Sequence, residues 1–309
     1  MSRSPFFPIF GYALLFVFTA LVLSGKVSAG QRISSLPKTA EEMQRLMGDG
    51  YTCLDRDELL IVSDIDRKLL YQLASRDFIV YMHVLRRDFY NKSHAAADGR
   101  RAQAILTVFL FKDRESYVRG LRKIGIDVAV EDEENRGALR DGYYYPGRKR
   151  NFILINYRDQ YERGISTYAH EVSHALLRKE FSDPPAWINE GIATMAGNGK
   201  MVDNRLRYDG ESSIRRVKKA LEKGNLLPLA RVLELTGKEF AGRENSLRFY
   251  DASEQFCLFL QSRNQLRAVY HALRDGKKGG ETGARTVARV TRSDLNRLEK
   301  EWHGWLMKQ

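Results

Sequence analysis

The sequence predicts an α+β fold, with its strands in the first half of the chain and mostly helices in the second. Three observations carry that expectation. β-Branched and aromatic runs bounded by turn residues concentrate before residue 160. Beyond that point apolar residues recur at helical spacing nearly to the end. The strand-like runs cluster in the first half instead of alternating with helices along the whole chain, as a doubly wound sheet requires. Composition agrees: 309 residues with 43% hydrophobic and 29% charged side chains describe a folded chain with a sizeable core, and exclude disordered, collagen-like and coiled-coil classes.

In chain order, a short helix is expected over Ala40–Met47, stopped by Gly48-Asp49-Gly50, and a strand over Glu58–Val62. Apolar residues at Leu69, Leu70, Leu73, Val80, Val84 and Leu85 predict one long helix from Asp66 to about Asn91. Ala104–Phe111 reads as a strand, and Arg114–Ile124 as a short basic amphipathic helix. The acidic run Glu131–Glu134 reads as a solvated loop in preference to a calcium site. Gly142–Tyr145, a Pro146-Gly147 turn and Phe152–Ile155 predict a β-hairpin. After it only helices are expected, interrupted by a flexible stretch from Gly276 to Gly283 and closed by a helix over Leu295–Leu306.

Residues 1–29 stand apart from the fold. Arg3 precedes an almost unbroken apolar run from Phe6 to Leu23, and Val27-Ser28-Ala29 supplies the small residues of a signal-peptidase site, with Gly30 opening the mature chain. The 18-residue run is also just long enough to act as an uncleaved anchor. Either reading exports residues 30–309 as the functional body: periplasmic, envelope-associated or secreted.

The whole chain carries +12, and losing Arg3 and Lys26 with the leader lowers this to +10. Outside the cytoplasm such a charge favours anionic membranes, envelope polymers or acidic substrates. The basic runs Arg148-Lys149-Arg150, Arg215-Arg216 with Lys218-Lys219, and Lys277-Lys278 read as solvated turns or helix faces. No aromatic residues interleave with them and no nucleic-acid-binding motif occurs, so no nucleic-acid partner is expected. Two cysteines exclude a disulfide scaffold; Cys53 and Cys257 leave open a single bridge or two separate thiols.

Only six histidines occur, and two stand at ligand spacing: His170-Glu171-Val172-Ser173-His174. On a helix, capped at its start by Ser166 or Thr167, positions i and i+4 share a face, so both imidazoles reach one ion. Zn²⁺ suits such a pair, because imidazole is a good borderline ligand and the ion imposes little geometry of its own. Glu171 lies beside the first ligand, where it can take a proton from a water whose pKa the metal lowers to about 7. Downstream, Phe181-Ser182-Asp183-Pro184-Pro185 stops one helix and starts another, with Pro185 suited to the first helical position. At 1.5 Å per residue an antiparallel second helix returns Glu190 to the level of the histidines. His170, His174 and Glu190 with a water form an open catalytic zinc site.

At these residues the chain resembles the gluzincin metallopeptidases, through His170-Glu171-x-x-His174 and Trp187-Ile188-Asn189-Glu190-Gly191-Ile192-Ala193. The nearest likeness is to the bacterial peptidase-MA-like group. The likeness extends loosely from about residue 57 to the end, including Gly142-Tyr143-Tyr144, Tyr250 and Glu301-Trp302. It implies a zincin-like fold with a small mixed sheet in an N-lobe over about 51–180, a mostly helical C-lobe over about 181–309, and a cleft between them. It also implies Tyr250 as oxyanion stabiliser, set against its reading as a core aromatic near a helix start. Fifteen residues separate His174 from Glu190, fewer than in the aminopeptidase and thermolysin-like members. Thr194 stands where thermolysin-like sequences carry an Asp that orients a ligand, leaving that role unassigned.

The leading expectation is an exported zinc-dependent peptidase hydrolysing peptide bonds in peptide or protein substrates with Glu171 as general base. Its rival is a catalytically inactive zincin-like binding or scaffold protein of the cell envelope. A third reading, a basic surface-binding module, makes the motif accidental. The hairpin between Gly142 and Tyr157 is expected to wall the cleft.

Overall fold

The protein is described by a computed structural model over residues 36–90, 106–126, 142–145, 151–158, 160–181, 183–203, 205–208, 210–241, 246–276 and 283–309. Helix α1 spans Ala40–Met47 and begins where Thr39 accepts the backbone N–H of Glu42, satisfying a donor with no partner inside the helix. β1 (Thr52–Arg56) and β2 (Leu59–Ser63) form a hairpin, and β1 is a strand the sequence reading did not find. Arg67 to Asp88 is helical as expected, but in three parts: α2 (Arg67–Gln72), a π-helical stretch over Leu73–Phe78, and α3 (Ile79–Asp88). β3 (Leu106–Phe111) leads to α4 (Arg114–Lys123), which Asp113 caps through the Ser116 N–H. β4 (Gly142–Tyr145) and β5 (Asn151–Asn156) pair antiparallel as the expected hairpin.

The five strands form one mixed sheet in the order β1-β2-β3-β5-β4, parallel across its centre and antiparallel at both edges. β2 and β3 are buried throughout because central parallel strands are covered on both faces. Alternation sorts their side chains. Leu60, Val62, Phe109, Phe111, Phe152 and Leu154 pack toward α1 and α4. Ile61, Val108, Leu110, Ile153 and Ile155 join the larger core with α3 and the helices that follow.

Those helices are α5 (Tyr161–Glu180), α6 (Ala186–Asn198), α7 (Glu211–Glu222), α8 (Leu229–Leu233), α9 (Gly237–Ala241), α10 (Ser246–Ser262), α11 (Leu266–Gly276), α12 (Gly283–Thr291) and α13 (Leu295–Lys308). The second half is not wholly helical. Lys200–Val202 and Arg205–Arg207 form a two-stranded ribbon between α6 and α7, too short to show a period in the sequence.

Other expectations are corrected. α5 begins at Tyr161, so Ser166 and Thr167 lie inside the helix and do not cap it. Pro185 is the residue before α6, not its first helical position. Of the two states left open for the cysteines the structure has the separate thiols, Cys53 on the sheet's β1 edge and Cys257 buried in α10. Arg216, on a half-exposed helix face, is also a bidentate partner of Asp251, at 2.6 and 2.7 Å. Residues 1–29, Glu131–Glu134, Pro146-Gly147, Arg148–Arg150 and Lys277-Lys278 lie outside the described residues. Among those described, no helix is long and apolar enough to cross a membrane.

Candidate metal centre

α5 carries His170, Glu171 and His174, and its placement is fixed from several sides. On the α3 side, the Tyr168 ring stacks on Phe78 with centroids 4.0 Å apart, and its hydroxyl donates to the Phe78 carbonyl at the end of the π-helical stretch. Near its C-terminus, Glu180 is paired with Arg274 of α11 at 2.7 Å. α6 returns alongside it and brings Glu190 level with the histidines, as the helix–proline–helix spacing predicts. α6 itself lies against α10 at Gly191. A Cβ there would stand 2.6 Å from the Cys257 sulfur and 2.8 Å from the Ser253 carbonyl oxygen, so only glycine permits the helices this close.

The structure brings His170, His174 and Glu190 together in the interior. The Nε2 atoms of the two imidazoles are 3.1 Å apart, and Glu190 Oε2 lies 3.6 Å from each. All three residues are buried, with ligand atoms within 4.8 Å of one another, and the group can hold a metal ion.

The hydrogen bonds around the cluster fix the tautomers, and burial sets the charge. Asn189 Oδ1 lies 3.0 Å from His174 Nδ1, while the same amide donates through Nδ2 to Glu190 Oε1 at 3.3 Å. With its NH₂ directed at a carboxylate, the Asn189 oxygen accepts the His174 Nδ1–H, leaving the Nε2 lone pair turned inward. His170 is bonded to the backbone of Ala193, and burial pushes its imidazole down to about 3. Burial also lowers His174 and raises the Glu190 carboxyl, the latter opposed by His174 and Asn189.

The donor set fits a metal ion. Two inward lone pairs and a carboxylate oxygen converge on one buried point, and Glu190 Oε2 has no hydrogen-bond partner among the described residues. Such a buried, uncompensated acceptor is costly unless a cation completes it.

Glu171 is buried and outside the ligand group, turned toward β4. A Cβ on Gly142 would lie 3.2 Å from its Oε1 and collide with the Thr167 methyl. β4 is therefore the wall beside Glu171, with the Tyr144 ring 6.1 Å from that of His174 and its hydroxyl donating to Asn151 at 2.9 Å. Tyr250 is at once the core aromatic and a neighbour of the site. It lies one turn inside α10, 2% exposed, packed on Phe240 at 5.0 Å, with its ring 6.4 Å from that of His170. His271 and His303 are half-buried and outside the cluster.

Sequence reasoning missed the groups that orient the ligands. Asn189 was in view as a motif letter, and its signal was an amide beside a ligand on the same helix. Ala193 acts through its backbone, for which no side-chain signal exists. Compared with known proteins, the chain matches no family model and no curated sequence.

Proposed function

We propose that this protein is an exported zinc-dependent peptidase with a zincin-like arrangement, of the gluzincin kind. The observation that carries the reading is the orphaned Glu190 oxygen facing two inward imidazole nitrogens, with Glu171 beside them but outside the ligand set. His170, His174 and Glu190 hold the ion. When bound, it supplies Lewis acidity, acidifying a water and polarising the scissile carbonyl.

The chain's own residues do the rest. Asn189 and the Ala193 backbone keep the imidazoles aimed, and burial keeps them neutral. Glu171 accepts the proton of the attacking water and passes it to the leaving amine. Tyr250 is the proposed oxyanion stabiliser. β4 ends the sheet order among the described residues and runs alongside Glu171, the place where an extended peptide would dock. The leader-like residues 1–29 support export, and intact mass of the exported protein should begin at Gly30; a retained Met1 would point to an anchor instead.

The experiment is metal content by mass spectrometry beside chelator-sensitive cleavage of a peptide library, for the wild type and Glu171→Gln. The variant should keep its zinc and lose roughly 10²- to 10⁴-fold in rate, the range of a general base. Wild-type protein that binds zinc yet cleaves nothing supports the binding or scaffold reading. Cleavage by Glu171→Gln at the wild-type rate would refute the mechanism.

A further inference from the structure

Arg178 stands on the metal helix, one turn beyond His174. At roughly 100° per residue it falls about 20° from Glu171 and about 40° from His174 around α5, so all three project on one side of the helix. That side is the one β4 covers beside Glu171, and Arg178 and Glu171 both act electrostatically on the Tyr144 hydroxyl of that strand. Arg178 is exposed where Glu171 and His174 are buried. Among the described residues it makes no ion pair and no hydrogen bond. Arg119, Arg216 and Arg297, by contrast, are neutralised by Glu115, Asp251 and Glu301.

Resting on the peptidase reading, we propose that Arg178 selects the substrate by binding a carboxylate close to the scissile bond. The four residues from His174 to Arg178 advance about 6 Å along the helix axis, roughly the span of two residues of extended peptide. The carboxylate it meets is therefore within about two residues of the bond attacked. Guanidinium is suited to this because its planar fork takes a carboxylate through two N–H groups. Two sources present that chemistry, an acidic side chain and the C-terminal carboxylate of the peptide itself. The body's charge of +10 after loss of Arg3 and Lys26 draws either one in. The competing role for a basic residue here is to complement the C-terminal end of the helix dipole, which Lys179 also serves. The two roles predict different results.

The test is binding of matched fluorescent peptides to the zinc-loaded Glu171→Gln protein, which leaves peptide uncut, with Arg178 intact or changed. One pair differs by a free or amidated C-terminus, the other by an internal Glu or Gln two residues from the centre. The intact protein should bind the carboxylate member of at least one pair about tenfold more tightly, and the pair that responds identifies the source. Arg178→Ala should abolish the difference, Arg178→Lys restore part of it, and added salt weaken it. No preference in either pair, or a preference that survives Arg178→Ala, would overturn the proposal. A helix-dipole role would change thermal stability and leave the ratio untouched. Wild-type protein that shows the preference yet never cleaves a peptide would overturn the peptidase reading and leave the carboxylate site standing.

Discussion

Glu190→Gln should change stability in opposite directions with and without metal. In the metal-free protein the carboxylate is buried, and its Oε2 faces the inward Nε2 atoms of His170 and His174 at 3.6 Å with no donor of its own. Glutamine is nearly the same shape, carries no charge, and can turn its NH₂ toward those lone pairs. Removing the uncompensated acceptor should stabilise the metal-free protein by about 1 kcal/mol. With metal the sign reverses. Structural zinc binds with roughly 10–16 kcal/mol spread over four donors, so one ligand accounts for about 3–4 and its charge for about half of that. Affinity should fall roughly 30-fold. At a zinc concentration about 100 times the wild-type dissociation constant, the wild type gains about 2.7 kcal/mol and the variant about 0.9. The lost difference lowers the melting temperature by roughly 3 °C for a chain of this size. Thermal unfolding in chelator and in excess zinc, with metal content measured alongside, gives both signs in one experiment. An equal zinc-induced shift in wild type and variant would remove Glu190 from the ligand set. A variant less stable than wild type in chelator would refute the account of the orphaned oxygen.

Asn189→Ala should lower metal affinity roughly 10- to 100-fold while leaving the ligands in place, because His174 loses the acceptor that holds its Nδ1–H; zinc competition with a calibrated chelator measures it, and unchanged affinity would reject the orienting role. Glu254, fully buried in α10 and accepting from Asn198 and Ser213, is pushed up by burial to about 7 from an ordinary 4.5. Between those values the folded protein keeps a proton that the unfolded chain releases, so its contribution is full below about pH 4.5 and lost as pH rises through about 7. Glu254→Gln should therefore match the wild type near pH 5 and exceed it at pH 8, by up to a few kcal/mol in urea unfolding. A variant weaker at both pH values would show that the carboxylate's geometry, not its charge, matters there.

What was legible in the sequence was whatever local physics fixes. The Gly48-Asp49-Gly50 stop marked the end of α1 at Met47, and β-branched and aromatic runs marked β3, β4 and β5. The spacing of His170, His174 and Glu190 was readable because helical rise is constant and two prolines force the chain to turn back. The sequence could not show the ribbon of Lys200–Val202 and Arg205–Arg207, or β1, since three to five residues hold too few repeats to reveal a period. It could not show the π-helical stretch, where the Phe78 carbonyl meets Tyr168 from another helix. The ligand orienters, the position of β4 beside Glu171, and the lack of a counter-ion for Arg178 among the described residues belong to the tertiary structure alone. Each depends on which surfaces meet across long separations in the chain, and local propensity carries no information about that.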